Sequence, residues 1–414
     1  VISKPYPPNL QHALRNRHGG QKPPELCADL VRAFSKQGQR VLDPFMGVGG
    51  VLLGAALAGR TATGIEINPA WIRIYREVCR LEGIAEQEAI TGDSAAVLPT
   101  LAGRLFDLHF RPAKGVPVQH PDVRVWEVRD GKGKHVGLWY FDPYARDGKR
   151  SGAWMNAYRN QERLDADVPT IVSNNANFVK AKPGEPVLVS WTDATTLFHE
   201  FGHALHGLLT SVTYPSLSGT NVARDYVEFP SQILERWLET PELLSRYARH
   251  VKTGKPLPKA LLQKIQRAST FNEGFDTVEY LSAAIVDMKM HLAADATIDP
   301  AAFERDVLAA LGMPGEIVMR HRPTQFAHLF SGDGYSAGYY SYLWADTISA
   351  DAYEAFLEAK GPYDAKVAGR LRALLSSGNA VDPADAYRAF RGRDAGIGAL
   401  MRKRGFPEPG GAAR

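Results

Sequence analysis

The spacing of apolar and polar positions changes style twice along the chain. Between about residues 22 and 103, "KPPELCADLVRAFS" has helical spacing and "QRVLDPF" reads as a buried strand. "GVGGVLLGAALAG" follows as a glycine-rich turn entering a helix of small residues, and "TATGIEI", "PAWIRIYREVCRLEG" and "EAITGD" continue as strand, helix and third strand. Alternation of this kind predicts a small α/β unit with parallel strands. From 105 to 190 the runs shorten and alternate, as in "VRVWEVRD", "HVGLWYFDPYA" and "TIVSNNANF", with Gly, Lys and Pro between them, which predicts β-ribbon. From 193 onward helical spacing dominates, over about 193–210, 225–245, 258–270, 277–294, 299–311, 338–358 and 363–376. The simplest division is therefore a partial α/β segment, 1–103, and a second unit, 104–414, made of a ribbon (105–190) and a helical part (193–407).

Composition narrows the function classes. Lys and Arg number 49 against 45 Asp and Glu, a net charge of +4, too small to argue for nucleic acid or an anionic membrane as partner. The basic stretch "RGRDAGIGALMRKRGF" reads as a solvated helix face. No apolar run approaches the roughly 18 residues that would span a bilayer, and no signal peptide is visible behind Val1. With only Cys27 and Cys79, both early in the chain, a disulfide framework is not expected. A monomer in a reducing cytoplasm is the default expectation.

The first unit carries the outline of a cofactor pocket. "VLDPFMGVGG" places an acid at a strand end, then glycines that permit a tight turn, then a helix start with free N–H groups. Glu66 ends the next strand 19 residues beyond Gly47, where an acid commonly holds ribose hydroxyls. This stretch, about residues 15–103, resembles the S-adenosylmethionine-binding part of DNA amino-methyltransferases. The resemblance implies contacts from Asp43, Gly47, Gly49 and Glu66 to that cofactor, with Asp93 of "TGDS" near the adenine. The Asp/Asn-Pro-Pro-Tyr tetrapeptide of that family is absent, and "FDPY" at 141–144, which lacks the second Pro, reads as a turn.

"TLFHEFGHALHGLL", residues 196–209, holds different chemistry. His199 and His203 are one helical turn apart on one face, so both imidazoles can reach a single Zn²⁺. Glu200 on the adjacent edge suits a general base for an attacking water. Asp193 is the expected N-cap, and Leu197, Phe198, Phe201, Ala204, Leu205 and Leu208 form the apolar surface. His206 lies almost on the same face, but three ligands along one straight helix would spread over about 10 Å, so it is read as packing beside the site. A third ligand must come from elsewhere. Glu228 of "SGTNVARDYVEFPSQILERW", 29 residues after His199, starts a second amphipathic helix and could be presented to the His pair. Asp225 and Glu228 equally match a capping box, and the residues alone leave these two readings balanced.

Residues from about 105 to 407 resemble the catalytic half of the thimet-oligopeptidase and peptidyl-dipeptidase family of zinc metallopeptidases, through "GAWMNAYRNQ", "TTLFHEFGHALHGLL", "SGTNVARDYVEFPSQ" and "HLFSGDGYSAGYYSYLW". The form of "SGTNVARDYVEFPSQ" is nearer the bacterial peptidyl-dipeptidases. The resemblance implies a mainly helical, zincin-like α+β fold, one Zn²⁺ held by His199, His203 and Glu228, Glu200 as catalytic base, and short unstructured peptides as substrates. It also assigns substrate and oxyanion contacts to His328, Tyr335 and Tyr342, in a run whose Gly332, Gly334 and Gly338 suit a mobile loop. Tyr339, Tyr340 and Trp344 read as aromatic core. "TIVSNNANF" is expected to offer a strand edge to an extended peptide. The alternative reading is a S-adenosylmethionine-binding methyltransferase fragment with an inactive peptidase passenger.

Overall fold

The computed structural model describes residues 27–28, 31–32, 35–37, 40–43, 50–58, 60–64, 79, 91–92, 97–180, 187, 189–249, 255–294, 297–315 and 317–408. In the first unit, strands β1 (Arg40–Asp43) and β2 (Thr61–Gly64) pair in parallel, with helix α1 (Gly50–Leu57) between them in sequence. Leu52, Leu53 and Ala55 of α1 are fully buried with Ala62, Ala28 and Cys79 in a small separate cluster. The strand–helix–strand order expected from the apolar pattern is therefore present here. The expected third strand behaves otherwise. Thr91–Gly92 (β3) pairs antiparallel with Ala248–Arg249 (β9), far along the chain, rather than extending the parallel pair. Helix α2 (Val97–Phe106) spans the expected division at 103/104, and its buried Leu98, Leu101 and Phe106 belong to the main core.

That core lies on a five-stranded mixed sheet of order β4-β5-β6-β8-β7, comprising Leu108–Pro112, Arg124–Asp130, His135–Tyr144, Thr170–Phe178 and, at the far edge, Trp154–Arg159 (β7). Only β6 and β8 run parallel. "TIVSNNANF" is β8, an interior strand flanked by β6 and β7, which corrects the expectation that it is an edge. Its nearly unbroken burial is that of a strand covered on both faces. "FDPY" lies within β6, where Asp142 is buried and paired with Arg146 (2.7 Å) and Lys149 (3.0 Å), not in a turn.

Helix α3 (Trp191–Leu209) packs across this sheet. It starts one turn earlier than Asp193 suggests. Ser190 is the N-cap, accepting from the Asp193 N–H at 3.0 Å, while Asp193 accepts from the Ser190 N–H at 3.2 Å, a reciprocal capping box. All six apolar residues expected to face inward are buried, and Phe201 meets Trp139 of β6 edge-on at 5.0 Å.

The remaining elements are helices. The expected helix 225–245 is broken in two, α4 (Phe229–Glu235) and α5 (Pro241–Tyr247), because Pro241 cannot continue a helical hydrogen-bond ladder. Then come α6 (Lys259–Ala268), α7 (Glu273–His291), α8 (Pro300–Ala310), the single-turn α9 (Ala327–Phe330), α10 (Ser341–Leu357) and α11 (Ala365–Ser376). Two further helices follow: α12 (Pro383–Arg391), which was not expected, and α13 (Gly398–Arg404), which lies in the basic stretch read as a helix face. α12 opens on an Asp382 cap and closes on Gly392 in the left-handed region, signals that its short length concealed. No helix among the described residues is long and apolar enough to cross a membrane.

Candidate metal centre

His199 and His203 project from α3 with their rings edge to face, centroids 5.1 Å apart. Between them Gly202 lets α4 approach to van der Waals contact: a Cβ there would lie 2.3 Å from the Pro230 carbonyl oxygen and 2.6 Å from Ser231 Cα. This close crossing delivers Glu228, the residue just before α4. Its Oε2 is 3.2 Å from His199 Nε2 and 3.1 Å from His203 Nε2. Two ligands bound tetrahedrally at 2.0–2.1 Å lie about 3.3 Å apart, so the spacing suits one small cation. Among the described residues this is the one group of three His, Cys, Asp or Glu side chains whose donor atoms converge within 4.8 Å. The capping-box alternative is not realised. Glu228 occupies the N-cap position without a side-chain cap bond, and Asp225 accepts instead from the Tyr340 hydroxyl at 3.0 Å.

Electrostatics sharpen the roles. Burial alone would raise the Glu228 pKa, but hydrogen bonds and charge from His199 and His203 hold it well below the usual carboxylate range. Burial opposes protonation of His199, yet Glu228 and Glu235 together raise its pKa. Glu235 Oε1 is 2.7 Å from His199 Nδ1 and so fixes the ring with Nε2 toward the cluster. Glu200 is buried and its Oε2 has no hydrogen-bond partner. Burial raises its pKa against the pull of His203 and His199. A carboxylate with a free oxygen and raised basicity beside the cluster can accept a proton. The Glu200 carbonyl is anchored by Asn174 Nδ2 at 2.5 Å, and Asn174 Oδ1 accepts from Trp139 Nε1 at 2.7 Å. His206 is fully buried outside the triad, its pKa pushed down to about 3 by burial and by His203, so it packs as a neutral ring.

The donor side is built by the segment between α9 and α10. The Tyr335 hydroxyl donates to Glu228 Oε1 at 3.1 Å, and His328 Nε2 lies 2.9 Å from the Tyr342 hydroxyl. The Tyr335 and Tyr342 rings stack 2° from parallel at 5.9 Å. Burial and the Glu228 charge raise both phenol pKa values, so both remain protonated donors. Desolvation lowers the His328 pKa, with His321 and Arg224 adding to it and Glu228 opposing. The segment is tied down from α7: Asp287 accepts from the Ala337 and Tyr339 N–H groups at 3.1 and 3.0 Å, and Tyr280 donates to the Tyr339 carbonyl. Ala337 has φ +54°, a strained value for a residue with a Cβ, which these bonds maintain. Tyr339 joins the aromatic cluster as expected, whereas Tyr340 and Trp344 are exposed at 37% and 56%, which corrects their assignment to the core.

Residues 82–406 match the family model of peptidase family M3. The chain belongs to that family. The dipeptidyl carboxypeptidase of Escherichia coli is 44% identical over 308 residues, 74% of this chain and 45% of that protein. Its counterpart in Salmonella typhimurium is 43% identical over 310 residues, with the same shares covered. Oligopeptidase A of Escherichia coli is 36% identical over 329 residues, 78% of this chain and 47% of that protein. The chain thus spans a little under half the length of these M3 relatives. Residues 2–77 match a DNA methylase family model, in agreement with the resemblance of the first unit.

Of the sequence-predicted residues, His199, Glu200, His203, Glu228, His328, Tyr335 and Tyr342 are gathered at one place. Of the five assigned to S-adenosylmethionine, Asp43 ends β1, while Gly47, Gly49, Glu66 and Asp93 lie outside the described residues. The sequence reading missed Glu235, Gly202, Asp287 and Tyr280. Glu235 had a signal, since it follows Glu228 by seven residues on one helix and so shares its face. Asp287 and Tyr280 had none, because they act on a segment some 50 residues away.

Proposed function

We propose that this chain is a zinc-dependent peptidase that cleaves short extended peptides and releases dipeptides from their C-terminal ends. The observation that carries this is the convergence of two imidazoles and a buried carboxylate, with an unpartnered carboxylate beside them. The donor set of His199, His203 and Glu228 is that of catalytic zinc sites, which keep a position open. When bound, zinc supplies a Lewis acid and makes a water ligand more acidic. Glu200 takes the proton of the attacking water through its free oxygen and carries it to the leaving amine. Tyr342, Tyr335 and neutral His328 supply hydrogen bonds to the oxygen that becomes negative as the carbonyl is attacked. Tyr335 releases Glu228 to do so. Glu235 holds the His199 ring in place throughout. The edge strand β7, which packs against α3, takes over from β8 the part of seating an extended peptide by main-chain hydrogen bonds. The methyltransferase-like segment, 1–103, and the peptidase unit, 104–414, are two units with α2 lying across the join.

The test is metal analysis of the purified chain together with mass spectrometry of an unstructured peptide after incubation. About one zinc per chain and stepwise loss of C-terminal dipeptides are expected. The Glu200→Gln variant should keep its zinc and lose about 10²- to 10⁴-fold in rate. Absence of zinc uptake, or undiminished cleavage by that variant, overturns the reading.

A further inference from the structure

The basic stretch near the C-terminus, read from the sequence as a solvated helix face, is turned inward onto α10. Arg391 and Arg393 pair with Asp351 at 3.4 and 2.6 Å, Arg402 pairs with Glu354 at 2.6 Å, and Lys403 and Arg404 share Asp346 at 2.5 and 3.2 Å. Arg404 reaches further than the others. Its Nη2 donates to Asp346, its Nη1 donates to the Thr277 hydroxyl at 2.7 Å, and its Nε lies 3.4 Å from Glu273 Oε1. Asp346 belongs to α10, whereas Thr277 and Glu273 belong to α7. Gly405, at φ +70°, ends α13 and passes so close to Thr270 that a Cβ would lie 3.2 Å from that side chain, which brings the helix end against the start of α7.

Both helices carry the donor side of the metal centre. On α7, Glu273, Thr277, Tyr280 and Asp287 are spaced four, three and seven residues apart and share one face. Asp287 holds the Ala337 and Tyr339 N–H groups, and the Tyr280 hydroxyl donates to the Tyr339 carbonyl and accepts from the Leu343 N–H at 3.3 Å. Tyr280 by itself is a pivot about which α10 is free to swing. Arg404 adds a second tie, at Asp346, and Tyr342 lies between the two along the chain. Resting on the peptidase reading above, we propose that Arg404 is a positioning residue: by joining α7 to α10 it sets where the Tyr342 hydroxyl meets the substrate oxygen. An arginine suits this because its rigid fork spans several acceptors at once, which the single nitrogen of a lysine does not. The competing role is to fasten the C-terminal helix to the body, and this predicts a different outcome.

The experiment is a double-mutant cycle on the full zinc-loaded chain, with an unstructured peptide as substrate. Arg404→Met keeps the aliphatic stem and leaves Asp346 paired with Lys403. Its kcat should fall about 10-fold with KM and zinc content unchanged, and Arg404→Lys should recover part of the loss. In a Tyr342→Phe background the same substitution should cost less than about twofold, because the hydroxyl it positions is gone. An equal loss in both backgrounds assigns Arg404 to holding the C-terminal helix, and no loss in either removes it from catalysis; both overturn the inference. If Arg404→Met does not fold, Thr277→Val decides through the same cycle. A loss of about two- to threefold is expected, and a loss in both backgrounds or in neither overturns the inference. If the chain cleaves no peptide, the peptidase reading fails, and NMR of ring-labelled histidines on the zinc-loaded chain reads the geometry independently. Arg404→Met should then displace the signal of His328, whose Nε2 lies 2.9 Å from the Tyr342 hydroxyl, and leave those of His199 and His203 in place. An unmoved His328 signal, or displacement of all three, overturns the inference.

Discussion

The ligand side and the donor side of this site are held in different ways. His199, His203 and Glu228 come from two helices whose backbones touch at Gly202, with Glu228 only 2% exposed. His328, Tyr335 and Tyr342 come from a glycine-punctuated segment fastened by a few hydrogen bonds to Asp287, Tyr280 and Glu228. The first arrangement fixes positions through close-packed backbone; the second holds the phenols through side-chain hydrogen bonds and ring stacking. The proposed peptidase chemistry needs both. A metal must be gripped before substrate arrives, whereas the oxyanion donors must rearrange when it does.

The contrast can be broken from the donor side with the largest effect. Tyr342→Phe removes one hydroxyl, and kcat should fall about 10²- to 10³-fold with zinc content unchanged; steady-state kinetics beside metal analysis checks this. On the ligand side, Glu235→Ala frees the His199 ring, and zinc affinity should weaken about 10- to 100-fold, read by competition with a chromogenic chelator. Gly202→Ala would push the Pro230 carbonyl and Ser231 away from α3. Overpacking of this kind costs about 1–3 kcal/mol, so the urea midpoint should drop and zinc affinity with it, while equivalent changes at Gly332, which has nothing within 4 Å of an added Cβ, should leave both unaffected. The smallest effect concerns pH. His206 is neutral in the folded chain with a pKa near about 3, whereas an unfolded histidine titrates near about 6.5. Between those values the unfolded state binds the extra proton, so stability falls as pH drops from about 6.5 toward 3. A His206→Leu chain should show a shallower acid limb in its melting curves.

Much of this was legible in the sequence, for reasons that differ between elements. α3 was legible because its apolar residues recur at helical spacing and its two histidines share a face, properties local to one helix. Glu228 was half legible: the residues could not separate a cap from a ligand, because that choice is made by the crossing of α3 and α4, a tertiary event. The placement of β8 was misread for the same reason. Its sequence suits a strand, but whether a strand lies inside a sheet or at its rim depends on which partners reach it, and here β7 closes the outer side. The pairing of Thr91–Gly92 with Ala248–Arg249 spans more than 150 residues and leaves no periodic trace.

Glu228 and Glu235 stand one at the start and one at the end of the short helix α4, one facing the imidazole nitrogens and the other steadying a ring from behind. A cation seated there rivets α4 to α3, so occupancy and mechanical integrity become a single quantity. Thermal resistance of the chain should therefore climb with the logarithm of free zinc once the dissociation constant is exceeded, and a chelator should loosen the crossing of these helices before it does anything to the sheet beneath.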